Sequence, residues 1–155
     1  MQVEFINPFV SAACDVFQAM LACDLTRGTL GLKRNNTPEF EVSGLIGLSG
    51  RCQGMVVFSV GRDTALAATE IMLGQRPDGI NAQVVDAVGE LANMIAGAAK
   101  VQLEQYELRI GLPSVICGKN HFINFPSNST PINLPFQSKI GPICIEVGFG
   151  KNGAS

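Results

Sequence analysis

The stretch DAVGELANMIAG, Asp86 to Gly97, decides how the chain is read. At about 3.6 residues per helical turn, Asp86, Glu90, Asn93, Gly97 and Lys100 fall on one narrow stripe. Val84, Val88, Leu91, Ile95 and Ala99 fall opposite, flanked by Val85, Ala92 and Leu103. That pattern makes an amphipathic helix with a core face and a polar face. A glycine inside a helix costs about 1 kcal/mol against alanine, and Gly89 and Gly97 both stand there. With Ala96 and Ala98 they leave low ground around Glu90 and Asn93, which is the setting for close approach by another surface.

Working outward, the spacing predicts this helix from about Asn81 to Tyr106. Before it, RDTALAATEIMLG reads as a shorter helix, with Asp63 as its N-cap and Gly74 as its stop. INPFVSAACDVFQAML reads as the first long helix, with Asn7 capping and Pro8 in the first helical position. GTLGLKR, FEVSGLIGLSG and GMVVFSV read as strands after the first helix, and GLPSVICG, INLPFQSKI and PICIEVGFG as strands after the long one. Pro113, Pro135 and Pro142 assign those last three to sheet edges or strand starts. The order is helix, three strands, helix, helix, three strands. Residues 1–155 are therefore expected to form a single domain of two helix-plus-three-strand halves joined by a short middle helix, with faint echoes between halves such as MVVFSVG and CIEVGFG.

Composition narrows the function. A chain of 155 residues with 46% hydrophobic and 15% charged residues can bury a substantial core. Net charge is −2 with a pI near 5.3, and no Lys/Arg cluster offers a basic face, so no nucleic-acid partner is expected. MQVEFINPF has neither a basic segment nor an apolar one of the secretory kind, and the longest uncharged run is broken by prolines. A soluble, cytoplasmic protein without a membrane span is expected. Cys14, Cys23, Cys52, Cys117 and Cys144 form no C-x-x-C pair, and His121 is the single histidine. No metal site or bound cofactor is expected in this chain.

A Glu-x-x-Asn pair is common by itself. The same spacing recurs at Glu4 and Asn7, where Pro8 is expected to hold Asn7 outside the helix. EVSGLIGLSGRCQGMVVFSV followed by DAVGELANMIAGAAK, with FINPFVSAACDVFQAML before and GLPSVICG after, resembles the CheC/CheX/FliY family of bacterial chemotaxis phosphatases, and within it the CheX branch most. The likeness runs over nearly the whole chain. It implies an α/β fold with an internal pseudo-twofold and a β-sheet covered by two long helices. It also implies removal of the phosphoryl group from the aspartate of a phosphorylated CheY-type receiver. Of the family's active Glu and Asn, the matching residues here are Glu90 and Asn93. Some members carry two such motifs. The first helix here offers only Asp15-x-x-Gln18, whose role stays open. One motif fits the CheX branch, whose members are homodimers.

An acyl phosphate is already labile, so catalysis reduces to placing water in line and spreading charge. A carboxamide can accept from the water and donate to a phosphoryl oxygen, which suits Asn93. A carboxylate facing solvent is a weak base toward water. The resemblance instead gives Glu90 the task of pairing with the receiver's active-site lysine. Asp86, Gly97 and Lys100 are candidate partner contacts. Mg²⁺ is expected on the receiver, not on this chain. The alternative is a non-catalytic, flagellar-switch-like module of the same fold that binds a receiver without hydrolysis. A hydrolase built on His121 lacks any motif joining it to a nucleophile.

Overall fold

The computed structural model describes residues 3–33, 37–118, 122–126 and 130–151. The elements in chain order are α1 (Val3–Leu21), β1 (Thr26–Arg27), β2 (Gly31–Leu32), β3 (Val42–Ser49) and β4 (Cys52–Val60). Then come α2 (Arg62–Leu73), α3 (Ala82–Val101), a 3₁₀ turn (Glu104–Tyr106), β5 (Arg109–Ile110), β6 (Ser114–Cys117), β7 (Ile132–Gln137) and β8 (Ile143–Lys151). All eight strands join one antiparallel sheet in the order β1-β7-β8-β4-β3-β5, with β2 also on β7 and β6 also on β3.

That order has an internal twofold. The long strands β4 and β8 pair at its centre, where Val56 faces Val147. Each half then lends its first strands to the other: β1 and β2 pair with β7, and β5 and β6 pair with β3. The expected helix-plus-strands repeat is therefore present, with its halves interlocked. The two-residue strands β1 and β5 were not legible in sequence, because two residues are too few to show alternation.

The helices cover one sheet face. Phe9, Phe17, Val88, Leu91 and Ile95 are buried with Ile46, Phe58, Ile145 and Val147 in one continuous core. Ring contacts lock α1 to the sheet: Phe5 and Phe9 lie 5.0 and 6.0 Å from Phe149, and Phe17 meets Phe58 edge-on at 6.0 Å. Close approach of α3 to β3 requires Gly44, where an added Cβ would stand 2.9 Å from that of Ala92. On the other face the alternation presents buried Ser43, Ser59 and Glu146. The Glu146 carboxylate is matched by Lys33, whose Nζ lies 2.8 Å from Oε2. Burial nonetheless pushes the Glu146 pKa upward against that lysine.

Three local expectations need correction. Helix α1 begins at Val3 and runs through Pro8, so Asn7 is a helical residue and not a cap. Its first turns bury Phe5 and Ile6, and that burial offsets the backbone hydrogen bond a proline forfeits. Glu4 and Asn7 thus share a helix at i, i+3 spacing, contrary to the expected contrast with Glu90 and Asn93. The N-cap of α2 is Gly61, with Asp63 inside the first turn, where a carboxylate still favours the helix dipole. Pro135 lies inside β7, opposite Cys144. It is tolerated because only two-residue strands flank β7 on that side, and its carbonyl accepts from the Gly28 N–H at 2.8 Å. Pro113 and Pro142 do precede strands. Gly74 ends α2 as expected, in the left-handed region at φ 83°, its N–H bonded to the Glu70 carbonyl at 2.7 Å. His121 lies outside the described residues.

Candidate functional site on the outer face of α3

Asn81 caps α3, its side chain accepting from the Val84 N–H at 3.1 Å, while the apolar repeat from Val84 to Ala99 sets the rotational phase of the helix. The helix ends at Val101, five residues before the expected Tyr106, which belongs instead to the 3₁₀ turn that follows. The phase buries Val84, Val88, Leu91, Ile95 and Ala99 and turns the expected stripe outward. Asp86, Glu90 and Lys100 are exposed, while Asn93 and Gly97 are half-buried. Residues at i, i+3 on a helix lie about 5–6 Å apart at Cβ, so Glu90 and Asn93 can address one small target together. Among the described residues neither side chain is engaged in a hydrogen bond or ion pair.

The two glycines have different reasons. Gly89 is not open ground. It is buried, and an added Cβ would touch Val115 at 3.4 Å and Pro113 at 3.7 Å. Its approaching surface is this chain's own Pro113 and the start of β6. Ala96 is likewise buried. Gly97 is the more open of the pair, with the nearest atom to an added Cβ being Ile110 Cδ1 at 3.9 Å. The expectation of a bare backbone around the polar pair therefore holds on the Gly97 side and fails on the Gly89 side.

A groove of about 320 Å³ runs between α2 and α3, lined by Met72, Leu73, Gln83, Asp86, Ala87 and Glu90. Sequence reading missed it, because a groove between two helices depends on how they cross. The available signal was IMLG, Ile71 to Gly74, an apolar run at the end of an otherwise amphipathic helix. A larger concavity of about 390 Å³ lies elsewhere, lined by Thr37, Pro38, Glu39, Phe40, Glu41, Gly61 and Gly118, and holds none of the α3 stripe. Asp15 and Gln18 are both exposed on α1. Among the described residues no three His, Cys, Asp or Glu side chains come together as a metal would need. No described helix is long and apolar enough to cross a membrane.

The chain can be placed among known proteins on this geometry. The family model for the chemotaxis phosphatase CheX matches residues 42–137, which span β3 to β7 and contain all of α3. The CheY-P phosphatase CheX of Thermotoga maritima is 22% identical over 140 residues, 88% of this chain and 89% of that protein. The crystal structure of chemotaxis protein CheX from Vibrio vulnificus is 34% identical, with a TM-score of 0.87 over 95% of this chain and 99% of that one. A CheX-CheY-BeF₃-Mg²⁺ complex from Borrelia burgdorferi contains a chain 24% identical, with a TM-score of 0.82 over 97% of this chain and 100% of that one. The chain belongs to the chemotaxis phosphatase CheX family.

Proposed function

We propose that this chain hydrolyses the aspartyl phosphate of a CheY-type receiver, with Asn93 as the catalytic group and Glu90 as the residue that sets the partner's register. The observation that carries the reading is the outward pair itself: a carboxylate and a carboxamide one turn apart on α3, both free of intramolecular partners among the described residues. The named activity of the Thermotoga maritima relative and the CheY in the Borrelia burgdorferi complex support it.

In this mechanism the Asn93 carbonyl accepts from a water molecule and its NH₂ donates to a phosphoryl oxygen, holding the water behind phosphorus. A P–O bond forms to that water as the P–O bond to the aspartate breaks. The electron pair leaves with the aspartate carboxylate, the water's proton passes to phosphate or solvent, and inorganic phosphate departs. No side chain of this chain needs to exchange a proton, which is consistent with an amide at the centre. Glu90 pairs with the receiver's lysine, a contact that fixes orientation and speeds association more than it adds affinity. Mg²⁺ belongs to the receiver and neutralises phosphoryl charge there. The reading includes a homodimer and a cytoplasmic setting, the first checked by sedimentation equilibrium.

The test is release of inorganic phosphate from a charged receiver with and without this chain. Acceleration that saturates with receiver is expected. A receiver that is bound but loses phosphate at its spontaneous rate would leave the non-catalytic module in its place.

A further inference from the structure

The polar stripe of α3 lies between two apolar banks that the hydrolytic step does not use. On one side, the last turn of α2 leaves Ile71 43% and Leu73 53% exposed, just before left-handed Gly74. Leu73 and Met72 line the α2–α3 groove, whose other walls are Gln83, Asp86, Ala87 and Glu90. On the other side, Pro113 lies beside Gly89, Ile110 stands near the more open Gly97, and Leu112, between the two in sequence, is 91% exposed. Contacts that exclude water from the centre of a protein interface strengthen the interactions made there.

The groove is also selective in charge. Two of its walls are the carboxylates Asp86 and Glu90, and the stripe's one cation, Lys100, stands at the far end of the helix. An apolar floor beside two acids fits a large apolar side chain next to a basic one. Glu90 belongs to both the groove and the pair assigned to the reaction, so a partner whose lysine meets Glu90 must lay its neighbouring surface into the groove.

We propose that the groove between α2 and α3 is the receiver's anchor pocket, in which Met72 and Leu73 take a large apolar side chain presented beside the lysine that meets Glu90. This inference rests on the phosphatase reading of Glu90 and Asn93, and it makes the end of α2 the place where one receiver is told from another. Leu73 is a binding residue here and touches no reacting atom.

The experiment uses a CheY-type receiver from the same genome, charged with acetyl phosphate, and compares the full chain with Leu73→Asp and with Gln83→Trp, which fills the groove from the α3 side. Each variant is expected to raise KM about tenfold while kcat at saturating receiver stays within about twofold. A titration of receiver into each variant reads binding without relying on turnover. Unchanged KM and binding in both variants would overturn the anchor pocket. So would unchanged KM with an altered sedimentation coefficient, which would put a second copy of the chain in the groove. Failure of the phosphatase reading looks different: the receiver binds the native chain and not Leu73→Asp, yet its phosphate is lost at the spontaneous rate.

Discussion

Helices α1 and α3 hold equivalent places in the two interlocked halves, and each lays an apolar face against the same sheet. Each also shows water an acid and an amide at i, i+3: Asp15 and Gln18 on α1, Glu90 and Asn93 on α3. Two things separate them. Aspartate is a methylene shorter than glutamate and glutamine a methylene longer than asparagine, so the α1 pair reverses the reach of the α3 pair. The second difference lies beyond the helices. Helix α2 joins the halves and has no counterpart in the second one among the described residues. It is α2 that builds the groove beside Glu90. A symmetric scaffold thus becomes one-sided through its connecting element, and the proposed function places the chemistry on the side that α2 flanks.

The largest effect expected from this contrast is on turnover. Asn93→Ala should lower the rate of receiver dephosphorylation by about 10²–10³-fold, the scale seen when one positioned hydrogen-bonding group is removed from a reacting centre. Asp15→Ala and Gln18→Ala should leave that rate unchanged in the same assay. Activity lost equally from both helices would restore the symmetry and break the comparison. Glu90→Ala is expected to act mainly through a raised KM.

Next in size is the packing of α3 on the sheet. Gly44→Ala drives a Cβ to 2.9 Å from that of Ala92, and overpacking of this kind destabilises by about 1–3 kcal/mol. A lowered midpoint in urea denaturation with an unchanged slope is the expected signature. An unaltered midpoint would show that α3 is not held as closely as the geometry requires.

Gly97→Ala should move stability the other way. The added methyl meets nothing closer than Ile110 Cδ1 at 3.9 Å, and removing a helical glycine stabilises by up to about 1 kcal/mol. If the receiver seats against this open backbone, the variant gains thermal stability while its KM rises. A gain with no change in KM would confine the receiver's contact to the Glu90 side. The smallest effect is again on α1: Asp15→Ala and Gln18→Ala, exposed and not among the residues lining the groove, should each change stability by less than about 0.5 kcal/mol.

Much of this was legible from residues alone, for identifiable reasons. The 3.6-residue periodicity of Val84, Val88, Leu91 and Ile95 fixed the buried face of α3, and hence the outward direction of Glu90 and Asn93. Gly74 was legible as the stop of α2 because glycine readily takes the left-handed conformation that closes that helix end. Local rules failed where distant packing outweighed them. Pro8 marks a helix start by propensity, yet burial of Phe5 against Tyr106 and Phe149 carries α1 past it. Gly89 looked like room for a partner, yet the residues that fill it, Pro113 and Val115, lie more than twenty positions away in sequence. The groove escaped for the same reason, since Leu73 and Glu90 become neighbours only once α2 and α3 cross.

The most direct measurement is phosphate loss from a charged CheY-type receiver under a saturating excess of Asn93→Ala, with complex formation followed in the same samples. A receiver held in complex but losing phosphate at its spontaneous rate is the expected result. A bound receiver losing phosphate as fast as with the unaltered chain would contradict the role of the amide.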